Sequence, residues 1–170
     1  KLKSFEITKL YRKKYNLPTY NAVIFNTESI FRDKSYLIPK ICHAAINSKK
    51  YNKKTKFGNI NISREWNWCD EQVKYLLKFI SKEPQDFILS NGKSYSAVQM
   101  LKFAFSYFNL NYKNYILLNS KKYLRSVEIA KNKSNAKKCL KRNKMNRTNK
   151  IFGEKIIIKL IKYYLKNKKI

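Results

Sequence analysis

The chain has 170 residues, 44% hydrophobic and 15% aromatic, with 39 Lys and Arg against 10 Asp and Glu for a formal net charge of +29. That length suits one domain able to bury roughly two thirds of its unfolded surface, and the aromatic and aliphatic content excludes disorder despite the charge. No apolar run approaches the ~20 residues of a membrane span and no signal peptide opens the chain. Cys42, Cys69 and Cys139 are too scattered for a disulfide framework or a zinc site, so no metal is expected and a reducing, cytoplasmic setting fits best.

Leu2, Phe5, Ile7 and Leu10 at helical spacing predict a first helix to about Tyr15, stopped by Asn16-Leu17-Pro18 because proline disfavours helical backbone before it. Tyr20 to Phe25 is an apolar run of strand length that ends in a polar loop, Asn26-Thr27-Glu28-Ser29. Ser35 is the expected cap of a second helix to about Ser48, with Tyr36, Ile38, Ile41 and Ala45 on one side. His43, in that helix beside Cys42, reads as a packed or surface histidine rather than a ligand. Lys49 to Lys56 is expected as a surface loop and Lys56 to Ile62 as a short strand leading to Ser63-Arg64-Glu65-Trp66-Asn67-Trp68.

Val73, Leu76, Leu77 and Ile80 mark a third helix, and Gln85 to Ser90 the next strand. Asn91-Gly92 makes the turn. Ser96 and Gln99 form a capping box, each side chain satisfying the other's backbone donor. The helix it opens should bury Val98, Leu101, Ala104, Phe105 and Phe108. Tyr115 to Leu118 is another strand, Lys121 to Ile129 a polar, functional loop, Ser134 to Leu140 a short helix and Lys141 to Lys150 a cationic connector. The last helix, Phe152 to about Lys166, gathers Ile156, Ile157, Leu160, Ile161 and Tyr164 on one face and turns Lys155, Lys159 and Lys162 away. Such a helix can lie on an anionic membrane, but a core-facing terminal helix is commoner.

Alternating strands and helices predict an α/β fold. With few strands and no Gly-x-Gly-x-x-Gly, the chain cannot by itself be a dinucleotide-binding domain. It begins at Lys1, in what reads as the middle of a helix, and is expected to be a fragment holding the later half of a larger unit.

Ligands of α/β proteins sit at strand ends, which draws attention to Asn26, Thr27, Glu28 and Ser29 and to Arg32 close behind. Arg64 beside Trp66 is the second candidate: a fixed guanidinium forks onto phosphate oxygens while a ring excludes water. A surface pair between Arg64 and Glu65 is the competing reading.

These words resemble GDP-mannose 4,6-dehydratases, which are extended short-chain dehydrogenases/reductases. Phe25-Asn26-Thr27-Glu28-Ser29 is similar to the family's Phe-Asn-His-Glu-Ser, with Thr27 in place of histidine. Gly58-Asn59-Ile60 and Ser63-Arg64-Glu65-Trp66 resemble Gly-Asn-Leu and Lys-Arg-Asp-Trp. Phe87 to Val98 resembles Val-Ile-Ala-Thr-Gly-x-x-His-Ser-Val, and Arg125-Ser126-Val127-Glu128 resembles Arg-Pro-Thr-Glu. The glycine of the family's Pro-Arg-Arg-Gly is lost after Arg32, and its Leu-Gly-Trp becomes Leu140-Lys141-Arg142.

The resemblance implies the C-terminal half of such a fold. Residues 1–34 would end the NADP-binding Rossmann domain, and residues 35–170 would be mainly a small α/β substrate-binding region with some strands returning to the Rossmann sheet. Lys1 would be the lysine of Tyr-x-x-x-Lys, which binds the nicotinamide ribose and lowers the tyrosine's pKa. Thr27 and Arg32 would touch NADP. Asn26, Lys40, Arg64, Arg125 and Glu128 would hold GDP-mannose: Lys40, Arg64 and Arg125 at or near the diphosphate, Glu128 on the ribose. The reaction implied takes a hydride from C4 of the mannose, removes the C5 proton, expels water from C6 and returns the hydride there. The family's catalytic tyrosine, glutamate and threonine would lie before Lys1, leaving this chain inactive alone, and its members form dimers and tetramers.

Another sugar-nucleotide epimerase, dehydratase or reductase remains open, as does a degenerating gene. So does a basic nucleic-acid-binding protein, because clustered cations release counterions from nucleic acid. The excess charge nevertheless runs the whole length of the chain alongside abundant Asn, Ile and Tyr, a pattern that A/T-rich codons also produce.

Overall fold

A computed structural model of the chain describes residues 1–80, 83–118 and 151–167. Helix α1 (Leu2–Tyr15) ends at Asn16, whose left-handed backbone (φ 49°) turns the chain ahead of the proline. Strand β1 (Asn21–Ile24) is followed after one residue by β2 (Asn26–Glu28), so the polar word expected as a loop is itself extended. Next come α2 (Leu37–Tyr51), β3 (Thr55–Phe57), β4 (Ser63–Arg64), β5 (Trp66–Trp68) and α3 (Cys69–Ile80). Then follow β6 (Asp86–Leu89), β7 (Tyr95–Ser96), α4 (Ala97–Ser106), a 3-10 turn (Tyr112–Asn114), β8 (Ile116–Leu118) and α5 (Glu154–Asn167).

Among the described residues the strands pair two by two. β1 runs parallel to β6, with Asn21 opposite Asp86 and Ile24 opposite Leu89. β2 runs parallel to β5, with Asn26 opposite Trp66 and Glu28 opposite Trp68. β3 and β8 are parallel as well, and only β4 and β7 are antiparallel. Parallel neighbours need crossover connections, and the helices supply them, as the alternating pattern in the sequence predicts.

Several local expectations change. Ser35 does not cap α2: its N–H donates to Asp33 Oδ1 (2.8 Å), and the helix starts two residues later behind Tyr36. The helix then runs on to Tyr51, since Ser48 faces inward, where its hydroxyl donates to the Lys53 carbonyl (2.9 Å). Asn52 closes it in the left-handed region. The expected strand from Lys56 to Ile62 shrinks to Thr55–Phe57. By contrast the Ser96–Gln99 capping box forms in both directions, at 3.1 and 2.8 Å.

The core is a packed trio of helices. Ile38, Ile41, Cys42 and Ala45 of α2 meet Met100, Leu101, Ala104 and Phe105 of α4 and Ile156, Ile157, Leu160 and Ile161 of α5, all without solvent exposure. The terminal helix thus turns its apolar face to the core as its spacing predicts, with Tyr164 completing the stripe. Trp66, Trp68 and Phe57 close one end of the trio. On α4 the buried face is Ala97, Met100, Leu101, Ala104 and Phe105; Val98 and Phe108 stay partly exposed.

A second, much smaller cluster forms around Phe87 and Leu89 of β6, with Tyr20, Ala22, Tyr75 and Leu76 against it. Helix α1 is fixed to this layer by polar contacts. Arg12 reaches Asp86 at 2.7 Å and donates to the Thr19 carbonyl at 2.7 Å, while Asn21 Nδ2 donates to the Phe5 carbonyl at 3.1 Å. Its Leu2, Ile7 and Leu10, whose spacing marks the helix, are more than half exposed. Among the described residues no helix is long and apolar enough to cross a membrane.

Candidate functional site

The site grows from the step between β1 and β2. The chain leaves β6 after Ile24 and joins β5 at Asn26, so Phe25 alone separates two pairings. Asn26 emerges exposed at the carboxyl end of β1, where parallel strands of α/β proteins present ligands. Thr27, half-buried, donates to Gln72 Oε1 of α3 at 2.5 Å, with the Phe25 carbonyl 3.2 Å away. The Thr8 carbonyl accepts from Thr19 and the Phe5 carbonyl accepts from Asn21. Helix α1 therefore runs back along β1, and its start, the exposed Lys1, is directed toward this same end.

Glu28 faces inward and is 2% exposed. Burial raises its carboxyl to about 7, with Arg32 pulling the other way. Arg32 Nε approaches Glu28 Oε1 at 3.4 Å without making a hydrogen bond, and Glu28 Oε2 has no partner. The Arg32 guanidinium donates to the Thr27 carbonyl at 2.6 Å and stacks over the Tyr36 ring at 4.1 Å. It folds back on β2, fixing a cation beside Thr27.

Arg64 lies on β4, opposite Tyr95 of β7, and its guanidinium donates to the Ser63 carbonyl at 2.9 Å. Glu65 turns inward instead of facing solvent, which removes the surface-pair reading of that residue. It is 3% exposed and accepts from Ser90 Oγ (2.7 Å), Asn91 N–H (2.6 Å) and Asn67 Nδ2 (3.2 Å). The β2–β5 pairing then brings Asn26 and Thr27 next to the strand that follows Arg64. Lys40 lies on α2, its ammonium 4.9 Å from the centre of the Phe57 ring. Arg125 and Glu128 lie outside the described residues, as do the expected loop 121–129, the helix 134–140, the connector and Cys139.

His43 is packed, its ring stacked on Tyr164 at 4.3 Å, and burial lowers its pKa, helped by Lys34. Burial likewise pushes the Cys42 thiol and the Tyr164 hydroxyl up. Among the described residues no three of His, Cys, Asp and Glu gather as a metal site would need.

The sequence drew attention to Asn26, Thr27, Arg32 and Arg64, and all four lie on or next to the β2–β5 pair. It passed over Glu65, Ser90, Asn91 and Gln72. The one available signal was an acidic residue inside an aromatic strand word, where an unpartnered charge would be costly. A further contact near Arg64 was missed too. Gly153 has φ 54° and presses against the Tyr95 ring so closely that a Cβ would come within 2.5 Å of it, and the Lys93 ammonium sits 4.2 Å from the Phe152 ring centre.

A family model described as GDP-mannose 4,6 dehydratase matches residues 1–153. GDP-mannose 4,6 dehydratase 1 of Arabidopsis thaliana is 30% identical over 132 residues, covering 76% of this chain and 36% of that protein. The Homo sapiens GDP-mannose 4,6 dehydratase is 28% identical over 109 residues, 62% of this chain and 29% of its own length. The chain thus spans about a third of the curated relatives it matches. Among solved structures, the dTDP-glucose 4,6-dehydratase of Bacillus anthracis, in complex with NAD, superposes with a TM-score of 0.74 at 17% identity, over 96% of this chain and 50% of that one. RMD from Pseudomonas aeruginosa, complexed with NADPH, gives 0.73 at 10% identity over 95% and 53%. The fold is therefore the α/β fold of extended short-chain dehydrogenases/reductases, over about half the length of such a chain.

Proposed function

The chain belongs to the GDP-mannose 4,6 dehydratase family, and from that premise we propose that it is the sugar-nucleotide-binding part of an NADP-dependent lyase. That lyase would convert GDP-mannose to GDP-4-keto-6-deoxy-mannose with loss of water, in the cytoplasm, as a dimer or tetramer. The observation that carries the reading is the convergence of Asn26, Thr27, Arg32 and Arg64 on the β2–β5 pair at the carboxyl end of β1.

Each residue has a role suited to its chemistry. The exposed Asn26 amide offers both donors and an acceptor to the sugar nucleotide. Arg64 pairs with diphosphate oxygens through its planar fork, and the net charge of +29 draws the dianion in. Lys40 and, beyond the described residues, Arg125 add charge at the diphosphate, while Glu128 accepts from the ribose. The donor set suits a dinucleotide as well: Lys1, Thr27 and Arg32 would hold NADP, with a hydroxyl and a cation already fixed side by side. When bound, the nicotinamide accepts and returns a hydride. Lys1 would hold the ribose and keep a neighbouring phenol acidic. The residues of this chain bind and orient, so turnover is not expected from them alone.

Calorimetric titration of the chain with GDP-mannose, dTDP-glucose, UDP-glucose and a B-DNA duplex tests the reading. Saturable binding with a preference for GDP-mannose is expected. Equal or better binding of another sugar nucleotide would move the protein to a different branch of the same fold. Binding to DNA alone, weakening with salt at a log-log slope of about −0.9 per phosphate neutralised, would replace the proposal with nucleic-acid recognition.

A further inference from the structure

When a strand exchanges one neighbour for another, the ladder is interrupted and the freed donors need new acceptors. Here the exchange occupies a single residue. Ile24 is opposite Leu89 and Asn26 is opposite Trp66, so the residue after Leu89 and the residue before Trp66 flank the same gap. Those residues are Ser90 and Glu65. Both are buried, and their side chains meet at 2.7 Å.

A carboxylate is acceptor-only, with about four lone-pair sites, which suits a point where donors collect. Glu65 Oε1 takes Asn91 N–H at 2.6 Å and Asn67 Nδ2 at 3.2 Å, and Oε2 takes Ser90 Oγ. The contacts continue outward. Ser90 Oγ accepts from Gly92 N–H at 3.1 Å, and Asn91 Nδ2 donates to the Trp66 carbonyl at 3.0 Å, binding the turn after β6 to β5 from both sides. Asn67 Nδ2 also lies 3.5 Å from the Asn26 carbonyl. One buried carboxylate thus joins the turn after β6, the strand carrying Asn26 and the strand carrying Arg64.

We infer that Glu65 is a positioning residue of the sugar-nucleotide site: by clamping the Ser90–Asn91–Gly92 turn onto β4 and β5 it fixes the direction of its chain neighbour Arg64 relative to Asn26. It touches no ligand itself. The inference rests on the functional reading given above, and its test has one arm that needs no ligand.

Glu65→Gln keeps the shape but replaces one acceptor oxygen with a donor, so it opposes one contact and leaves the packing in place. Backbone hydrogen exchange in Glu65→Gln is expected to speed up at Asn91, Gly92 and the β4–β5 amides while α2, α4 and α5 keep their protection. The Kd for GDP-mannose should rise about tenfold, the scale of one hydrogen bond to a charged group. In an Arg64→Ala background the same change should add little, because interacting positions are not additive. Glu65→Asp, which restores the carboxylate, should recover part of the affinity. Ser90→Ala, which deletes one donor and is milder, carries the same comparison if Glu65→Gln does not fold. Unchanged exchange in the turn, loss of protection spread over the helical core, or a full tenfold loss on top of Arg64→Ala would each overturn the inference. If the unsubstituted chain fails to bind GDP-mannose, the functional reading falls; the exchange pattern still decides whether the clamp exists.

Discussion

The helical trio and the layer formed by α1, β1, β6 and α3 use the same kinds of apolar residue and reach opposite ends. In the trio, Ile38, Ile41, Met100, Leu101, Phe105, Ile156, Ile157, Leu160 and Ile161 are buried to zero exposure, and of its Ile, Leu, Met and Phe side chains only Leu165, near the end of α5, is strongly exposed, at 43%. In the layer, Leu10 stays 57% exposed, Ile24 52% and Leu77 57%, and only Phe87 and Leu89 form a buried nucleus. The trio closes on itself because α2, α4 and α5 each offer an apolar stripe to the other two. Among the described residues the layer has one parallel strand pair, with α3 packed on β6 through Tyr75 and Leu76 and α1 held by an arginine and an asparagine. Parallel strands are ordinarily buried on both faces, yet Val23 and Ile24 of β1 are 44% and 52% exposed. Stability should accordingly reside in the trio.

The largest expected break of this contrast is Phe105→Ala in the trio, which should cost about 3–5 kcal/mol through lost burial and a cavity. Urea denaturation of the chain measures it, and a cost under about 1 kcal/mol would deny the trio its role.

Next is Glu28, where β2 meets the trio, with Arg32, Cys42 and Tyr164 as its charged or titratable neighbours. Its carboxyl rises from 4.5 to about 7 on folding, so the folded state binds a proton that the unfolded state releases. The contribution is fully present below the unfolded value and is lost as pH climbs through 7. At about 1.4 kcal/mol per pH unit the window is worth about 3 kcal/mol. Glu28→Gln should therefore gain on the native chain between pH 4.5 and 7.5, read as diverging urea midpoints; parallel midpoints would remove the effect.

The smallest effect sharpens the contrast from the other side. Leu10→Ala on α1 removes an exposed side chain and should change stability by under about 0.5 kcal/mol. A loss comparable to that at Phe105 would mean that the layer is packed after all.

How much of this could be read in the sequence follows the same division. The trio was legible because helical spacing is a local signal: Ile156, Ile157, Leu160, Ile161 and Tyr164 announce their shared face within three turns. The capping box at Ser96 and Gln99 was equally local. Short strands were not, since β4 and β7 are two residues each and exist only through one another. β2 hides in the polar word Asn26-Thr27-Glu28 because its stabilising partner is a tryptophan strand about 40 positions away. On α1 the helix followed from the spacing while Leu2, Ile7 and Leu10 stay exposed, as periodicity marks a face without saying what covers it. At the site, Arg64 could be named from its word, whereas Glu65 acts through Ser90 and Asn91, and no spacing rule connects residues 25 and 26 positions apart.

Phe25 is where the two regions share a chain, and its position has a mechanical meaning. Its two backbone torsions are the shortest path between the β1–β6 and β2–β5 pairs, and the contacts of Glu65 with Ser90 and Asn91 cross the same gap. A junction pinned at two places is a weld and not a hinge, so Asn26 is presented at an angle set by the polypeptide itself.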